Sequence, residues 1–146
     1  MERGAKMSTT VRSKISKKNP YYISKHRYLE LKHFCLQYPE WKKKYANLQN
    51  KISPVTLNLT VCTNAHEHGD KTSQIALESA YYHSCMELVE DAADNADCEI
   101  GDYIFKAVTE GRSYDYLKTM LSIPCGRDMY YNRYRKFFWL LDKTRN

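Results

Sequence analysis

The amino-acid sequence predicts an all-α fold that consists of an N-terminal helical part and a C-terminal helix-turn-helix. Over most of the chain, apolar residues recur at the period of an amphipathic helix. The run from Val55 to Val61 alternates like a strand, but no second run of this kind is available to pair with it. We expect three regions: a disordered basic arm over residues 1–20, a helical region with an acidic helix over residues 21–96, and a helix-turn-helix region over residues 97–146.

Two helices are predicted at the start of the N-terminal region. Ser24 is suited to cap a first helix that runs to about Gln37. Pro39 ends this helix and opens the next one, because proline is tolerated in the first helical turn. The second helix has an apolar face, formed by Trp41, Tyr45 and Leu48. Its basic face is formed by Lys42, Lys43 and Lys44. Residues 51–71 are predicted to be an extended linker.

A long amphipathic helix is predicted from about Thr72 to Ala93, and we expect it to pack against the first helix. Its apolar stripe is formed by Ile75, Leu77, Tyr81, Cys85, Leu88 and Ala92. Carboxylates cover much of the remaining surface, at Glu78, Glu87, Glu90, Asp91 and Asp94. We interpret this acidic side as a solvated face, with a contact surface for a basic partner as the alternative.

Three further helices are predicted after Ile100. The first has one apolar face and ends at Gly111, and Ser113 then caps a short second helix. A tight connection over residues 122–126 leads to a third helix, which begins near Arg127 or Asp128 and runs to about Lys143. The buried stripe of the third helix is predicted to be Tyr130, Tyr134, Phe137 and Leu141. Phe138 or Trp139 is left to contact the N-terminal helices or a second subunit.

Charge is distributed unevenly along the chain, which carries a net charge of +6. Residues 1–51 contain 13 basic and 3 acidic residues, and residues 101–146 contain 9 and 5. The intervening residues 52–100 contain 1 basic and 9 acidic residues, so two basic ends flank an acidic middle. Basic ends of this kind indicate a polyanionic partner, for which nucleic acid is the default.

The third C-terminal helix carries the predicted DNA-binding residues. The order of helix, short helix, turn and longer basic helix is typical of a helix-turn-helix, whose last helix enters the major groove of duplex DNA. The residues expected nearest the bases are Arg127, Asp128, Tyr131, Asn132 and Arg135. Arg133 and Lys136 are expected to contact phosphates. Arginine can pair with guanine and asparagine with adenine through two hydrogen bonds.

Two stretches of the C-terminal region resemble known DNA-binding families. One stretch is similar to the sigma-factor region that reads the upstream promoter element: Gly111-x-Ser113-Tyr114-x-x-Leu117 followed by Leu121-x-Ile123-Pro124. It departs from that pattern at Lys118, where helix-turn-helix units usually carry a small residue. The stretch from Ile123 to Phe138 resembles the C-terminal helix of small prophage regulators of the ArpU/RinA type. This resemblance implies a phage-encoded activator of late phage operons.

Other chemistry receives little support from the sequence. Cys62, His66, His68 and Asp70 lie close together, but their spacing matches no common zinc pattern, so we expect no metal site. There is no phosphate-binding loop, no glycine-rich dinucleotide turn and no evident catalytic constellation, and we expect neither an enzyme nor a cofactor. The odd number of cysteines and the lack of a long apolar run favour a cytoplasmic protein without a membrane span.

The sequence therefore predicts a sequence-specific transcription regulator that binds double-stranded DNA in the bacterial cytoplasm. RNA polymerase or another host protein is a further candidate partner, and homodimerisation stays open. The alternative is a phage inhibitor of the anti-CRISPR type, in which the acidic helix occupies the basic channel of a host nucleic-acid-processing protein.

Overall fold

A computed structural model describes residues 17–52 and 68–146 of the chain. In these two ranges the protein consists of six α-helices and contains no β-strand, which confirms the predicted all-α class. The helices are α1 (Lys25–Leu36), α2 (Tyr38–Ile52), α3 (His68–Ala96), α4 (Gly101–Glu110), α5 (Tyr114–Leu121) and α6 (Arg127–Thr144). None of these six is both long and apolar enough to cross a membrane. The predicted arm up to residue 16 and most of the predicted linker lie outside the described residues.

The first two helices begin and end close to their predicted positions. The Ser24 hydroxyl accepts a hydrogen bond from the backbone N–H of Arg27 at 3.3 Å, which confirms Ser24 as the N-cap of α1. Pro39 lies in the first turn of α2. On α2, Trp41 and Leu48 are buried and Tyr45 is half-buried, whereas Lys42, Lys43 and Lys44 are exposed, as the sequence predicts.

The long helix α3 differs from the prediction in its start, its neighbours and its buried stripe. It begins at His68 rather than near Thr72, and it packs chiefly against α2 and α6 rather than against α1. Leu77 and Tyr81 belong to the predicted stripe, yet they are 69% and 60% exposed. The buried side of α3 is rotated from the predicted stripe towards an adjacent row of residues, because α2 and α6 pack against that row. The buried residues are Ser79, Cys85, Met86, Val89, Ala92, Ala93 and Ala96.

The next two helices follow the predicted pattern closely. Gly111 adopts the left-handed conformation, with a φ of 70°, and ends α4 as predicted. The Ser113 hydroxyl accepts a hydrogen bond from the backbone N–H of Tyr116 at 3.3 Å and caps α5. Tyr114 and Leu117 on α5 are buried, so this short helix is held against the core by one face.

The last helix, α6, contributes three buried aromatic side chains to the core, at Tyr130, Phe137 and Phe138. Helices α1, α3 and α4 all pack against it. Tyr130, Phe137 and Leu141 are buried as predicted, and Phe138 is buried beside them. The Phe138 ring stands edge-on to Tyr28 of α1, with the ring centroids 4.9 Å apart. The aromatic run of α6 is therefore covered from within the same chain, as one of the two sequence interpretations proposed.

Two reciprocal ion pairs connect α1 to the C-terminal end of α6. Arg27 Nε lies 2.5 Å from Asp142 Oδ1, and Arg145 Nη1 lies 3.0 Å from Glu30 Oε1. The Arg145 guanidinium also lies 4.0 Å from the centre of the Phe34 ring. Because partly exposed ion pairs contribute at most about 1 kcal/mol each, their main effect is to fix the orientation of α6 against α1.

Candidate nucleic-acid interface

The connection between α5 and α6 is held in place by hydrogen bonds back to α5. Ser122 ends α5 with a φ of 51°, and the Ile123 N–H donates to the Leu117 carbonyl at 3.2 Å. The Tyr114 hydroxyl donates to the carbonyl of Cys125 at 2.9 Å. Ile123 itself is buried. Because bonds from both ends of residues 122–126 return to α5, the first turn of α6 has a defined position relative to α5.

The first turn of α6 is exposed, but its arginine already has partners within the chain. Arg127 Nη2 lies 2.6 Å from Asp115 Oδ1 of α5, and the Arg127 guanidinium lies 5.4 Å from the centre of the Tyr114 ring. Asp128 and Met129 are exposed beside it. The predicted base-reading residue Arg127 is thus directed across α5.

One side of α6 is left open by the packing of its neighbours. A helix advances about 100° per residue, so the buried Tyr130, Phe137 and Leu141 define the inward side. The opposite strip, which we call the open strip, consists of Asp128, Asn132, Arg135, Lys136, Trp139 and Lys143. Asn132, Arg135 and Lys136 are half-buried and make no ion pair or hydrogen bond with the described residues. Long basic side chains can lie along an apolar surface and still extend their charge into water.

Arg133 lies on a different side of α6 from the open strip and makes an internal ion pair. Its Nε lies 3.0 Å from Asp97 Oδ2, although the N–H is not directed well enough to form a hydrogen bond. The other Asp97 oxygen accepts hydrogen bonds from the backbone N–H groups of Glu99 and Ile100 at 2.8 and 3.0 Å. Asp97 thus joins the end of α3, the start of α4 and the middle of α6.

The pKa of the Asp97 carboxyl reflects this arrangement. Burial on its own raises the pKa, but the two N–H donors and the charge of Arg133 outweigh it and hold the pKa below its ordinary value of 3.8. The carboxylate is therefore charged at neutral pH, and the Arg133 charge is partly neutralised by it. The predicted phosphate contact of Arg133 stays a prediction, and any such contact competes with this ion pair.

Tyr131 belongs to a cluster of tyrosines on α5 and α6. Its ring centroid lies 6.4 Å from that of Tyr114, 5.1 Å from that of Tyr130 and 6.1 Å from that of Tyr134. Burial raises the pKa of Tyr130 and Tyr134, so both stay uncharged. Tyr131 and Tyr134 are half-buried, whereas Tyr114 and Tyr130 are buried.

A contact that the sequence analysis did not identify lies at the C-terminal end of the open strip. The ring of Tyr21, just after residues 17–20, stands edge-on to Trp139 with the centroids 5.5 Å apart. Lys143 Nζ lies 3.5 Å from the centre of the Trp139 ring. No sequence signal connects Tyr21 with Trp139, because 117 intervening residues separate them.

The acidic side of α3 is a second candidate surface. Glu78, Glu87, Asp91 and Asp94 are exposed, as predicted. Glu90 accepts a hydrogen bond from the Tyr38 hydroxyl, so it also serves the packing of α2 on α3. Within residues 17–52 and 68–146 no group of three histidine, cysteine or carboxylate side chains is arranged to hold a metal ion. Cys62 and His66 lie outside these ranges.

Comparison of the chain with protein-family models, with curated proteins and with solved structures gives no match.

Proposed function

We propose that this protein is a sequence-specific regulator of transcription that binds duplex DNA through α5, the connection over residues 122–126, and α6. The observation that carries the proposal is the open strip of α6, where Asn132, Arg135 and Lys136 have no internal partners among the described residues. Asparagine and arginine, as at positions 132 and 135, are types that read base edges, and lysine, as at position 136, is a cation that binds phosphate.

The connection before α6 supports the same proposal. A recognition helix has to be presented at a fixed angle, and the bonds from Tyr114 and Ile123 back into the connection and α5 supply such rigidity. The exposed first turn, Arg127 to Met129, is the part of a recognition helix that usually contacts base edges. Arg127 then exchanges its ion pair with Asp115 for a contact to DNA.

The biological setting follows from the resemblance of residues 123–138 to prophage regulators of the ArpU/RinA type. It supports control of late phage genes in the bacterial cytoplasm, with RNA polymerase as a further partner. The basic composition of residues 1–51 and 101–146 supports a polyanionic ligand for both ends of the chain. No cofactor and no catalytic step form part of this proposal.

Selection from a pool of random duplex DNA at physiological salt tests the proposal. We expect an enriched motif, and we expect the Arg135→Ala/Lys136→Ala variant to lose affinity for it by about 10- to 100-fold, since a good base contact contributes about 1–3 kcal/mol. The control is the Lys42→Ala/Lys43→Ala variant, which removes the same charge from the exposed face of α2. No enriched motif from the parent protein, or equal losses in the two variants, would contradict the proposal.

A second candidate function rests on α3, where the exposed Leu77 and Tyr81 lie on the same helix as the acidic side chains. Such a mixture of apolar and acidic groups fits a basic protein surface, as an inhibitor of a nucleic-acid-processing protein requires. The variant Glu87→Lys/Asp91→Lys/Asp94→Lys, which keeps Glu90 for Tyr38, tests it. This function predicts loss of host-protein binding in a pull-down, whereas the DNA-binding function predicts unchanged or tighter DNA binding.

A further inference from the structure

One row of side chains on α3 is left open by the helices that pack against it. We call this row the α3 seam. Its positions are separated in turn by 3, 4, 3, 4 and 3 residues, and it consists of Gln74, Leu77, Tyr81, Ser84, Leu88 and Asp91. Leu88 is half-buried and the other five side chains are exposed, because α2, α4 and α6 pack on other sides of α3.

The spacing and the chemistry of the α3 seam are those of a helix-pairing surface. Alternating steps of 3 and 4 residues bring side chains to one side of a helix, where they can interlock with those of a second helix. The middle of the seam is apolar, and Leu77 and Tyr81 are 69% and 60% exposed. Large apolar side chains that are exposed next to each other mark a contact surface.

The α3 seam is complementary to a second copy of itself that runs in the opposite direction. A two-fold axis between residues 82 and 83 places Leu77 of one copy opposite Leu88 of the other. The same axis places the large ring of Tyr81 opposite the small Ser84. At each end of the seam, the Gln74 amide faces the Asp91 carboxylate, to which it can donate a hydrogen bond. Each layer therefore pairs side chains that fit in size or in hydrogen bonding.

Charge favours this antiparallel direction over a parallel one. Residues 71–82 contain Lys71 and Glu78 and have no net charge, whereas residues 83–96 have a net charge of −4 from Glu87, Glu90, Asp91 and Asp94. A parallel pair would place the two acidic segments side by side, at an electrostatic cost. An antiparallel pair places each acidic segment beside a neutral one and brings Lys71 to the level of Asp94 of the other copy.

We infer that two copies of this chain associate through the α3 seam as an antiparallel helix pair that buries Leu77 and Tyr81 of both. The seam lies on a different helix from the open strip of α6, so the inference does not rest on the proposed function. If both hold, a two-fold axis relates the two α6 helices, and the selected DNA motif is an inverted repeat.

The molar mass of the full-length chain in solution, measured by sedimentation equilibrium without DNA, tests the inference. We expect the mass to rise with concentration from 17.2 kDa towards twice that value. Leu77→Glu should raise the dissociation constant of the dimer by at least about 10-fold, because it places a charge at the centre of the contact. Met120→Glu is the matched control, since Met120 of α5 is 67% exposed and lies away from α3.

Met120→Glu should leave the dissociation constant unchanged, and circular dichroism of both variants checks that their helices are intact. A parent chain that stays monomeric would overturn the inference and leave the exposed side of α3 to the inhibitor function. A parent dimer that Leu77→Glu does not weaken, or that both variants weaken equally, would also overturn it. None of these outcomes bears on whether the protein binds duplex DNA.

Disulfide cross-linking tests the direction and the register of the pair. Gln74→Cys and Asp91→Cys, both at exposed positions, are each made in a chain that carries Cys62→Ser, Cys98→Ser and Cys125→Ser. We expect oxidation to cross-link a mixture of the two variants but neither variant alone. In the proposed pair, equal positions lie 17 residues apart in level, or about 25 Å along the axis, whereas a disulfide needs Cα atoms within about 7 Å. Cross-links in either variant alone, or none in the mixture, would overturn the inference.

Discussion

The Arg133 guanidinium of α6 faces the Asp97 carboxylate across the junction of α3 and α4, with Nε and Oδ2 3.0 Å apart. This pair connects the helix that carries the open strip to the loop from which the C-terminal helices begin. Asp97 is only 11% exposed, so water screens the pair incompletely. Protonation of Asp97 is therefore expected to contribute to the pH dependence of stability.

Asp97→Asn should lower the free energy of unfolding by about 1–3 kcal/mol at neutral pH, because it removes a charged acceptor of hydrogen bonds. The folded-state pKa of Asp97 lies below its unfolded value, so its contribution is complete above the unfolded pKa and is lost as pH falls through the folded pKa. Urea unfolding of parent and variant from pH 7 to pH 2 should therefore give free energies of unfolding that converge as the pH falls below about 4. A difference that stays constant over this range would show that the charge is not involved.

Gly101→Ala should destabilise the protein by about 1–3 kcal/mol, the usual cost of overpacking. A Cβ at this position would lie 2.8 Å from the backbone oxygen of Ala93, and neither helix can move away without disturbing the core. Gly126→Ala is the control, since a Cβ there meets nothing within 4 Å. Calorimetric melting temperatures of the two variants provide the comparison, and equal shifts would argue against the close approach of α4 to α3.

Ser122→Gly should stabilise the protein by about 0.5–1 kcal/mol, because glycine adopts the left-handed conformation without the steric cost of a side chain. Ser122 is the one non-glycine residue of the described chain with a positive φ, at 51°. The same exchange at the other end of α5, Ser113→Gly, removes the N-cap hydroxyl and should cost a few tenths of a kcal/mol. Urea midpoints that shift in the same direction for both variants would contradict this assignment.

Tyr114→Phe should lower stability by about 0.5–1.5 kcal/mol, the usual value of one hydrogen bond, and should also weaken DNA binding. The hydroxyl that this change removes donates to Cys125 and fixes the connection that presents α6. Tyr116→Phe is the control on the same helix, since its ring contact with Arg112 survives the change. If DNA affinity falls no further for Tyr114→Phe than for Tyr116→Phe, the connection does not need this bond to present α6.

Local sequence signals predicted the ends of helices well. Serine at positions 24 and 113, and glycine at position 111, each act through atoms within a few residues of the helix end. Such short-range chemistry can be interpreted without knowledge of the fold. For the same reason the order of helices over residues 100–144 agrees with the prediction.

The side of α3 that is buried could not be predicted by the same means. Apolar residues occupy two neighbouring tracks on this helix, and Leu77 and Tyr81 lie on the one that its neighbours leave open. The buried track contains Ser79, which a hydrophobic pattern rejects. Its hydroxyl accepts a hydrogen bond from Gln49 of α2 at 2.7 Å, and this long-range partner makes burial of a serine tolerable.

In the candidate site, too, the sequence indicated residues on one helix but not the contacts between helices. The sequence indicated the polar and basic residues of α6 by type and phase, including Asn132, Arg135 and Lys136. It could not indicate that Arg127 is held by Asp115, that Arg133 is paired with Asp97, or that Tyr21 meets Trp139. Each of these contacts depends on how helices pack, and no local pattern encodes that packing.

If the proposed function holds, the burial of one side of α6 limits how this protein can acquire a new specificity. Helices α1, α3 and α4 pack against this helix, so a substitution on its buried side changes the folding free energy before it changes any contact with a ligand. We expect exchange to be tolerated best at positions of α6 that are not buried. If the proposed function holds, divergent versions of this fold are therefore expected to differ in their target mainly through the exposed first turn, Arg127 to Met129, and through positions 132, 135 and 136.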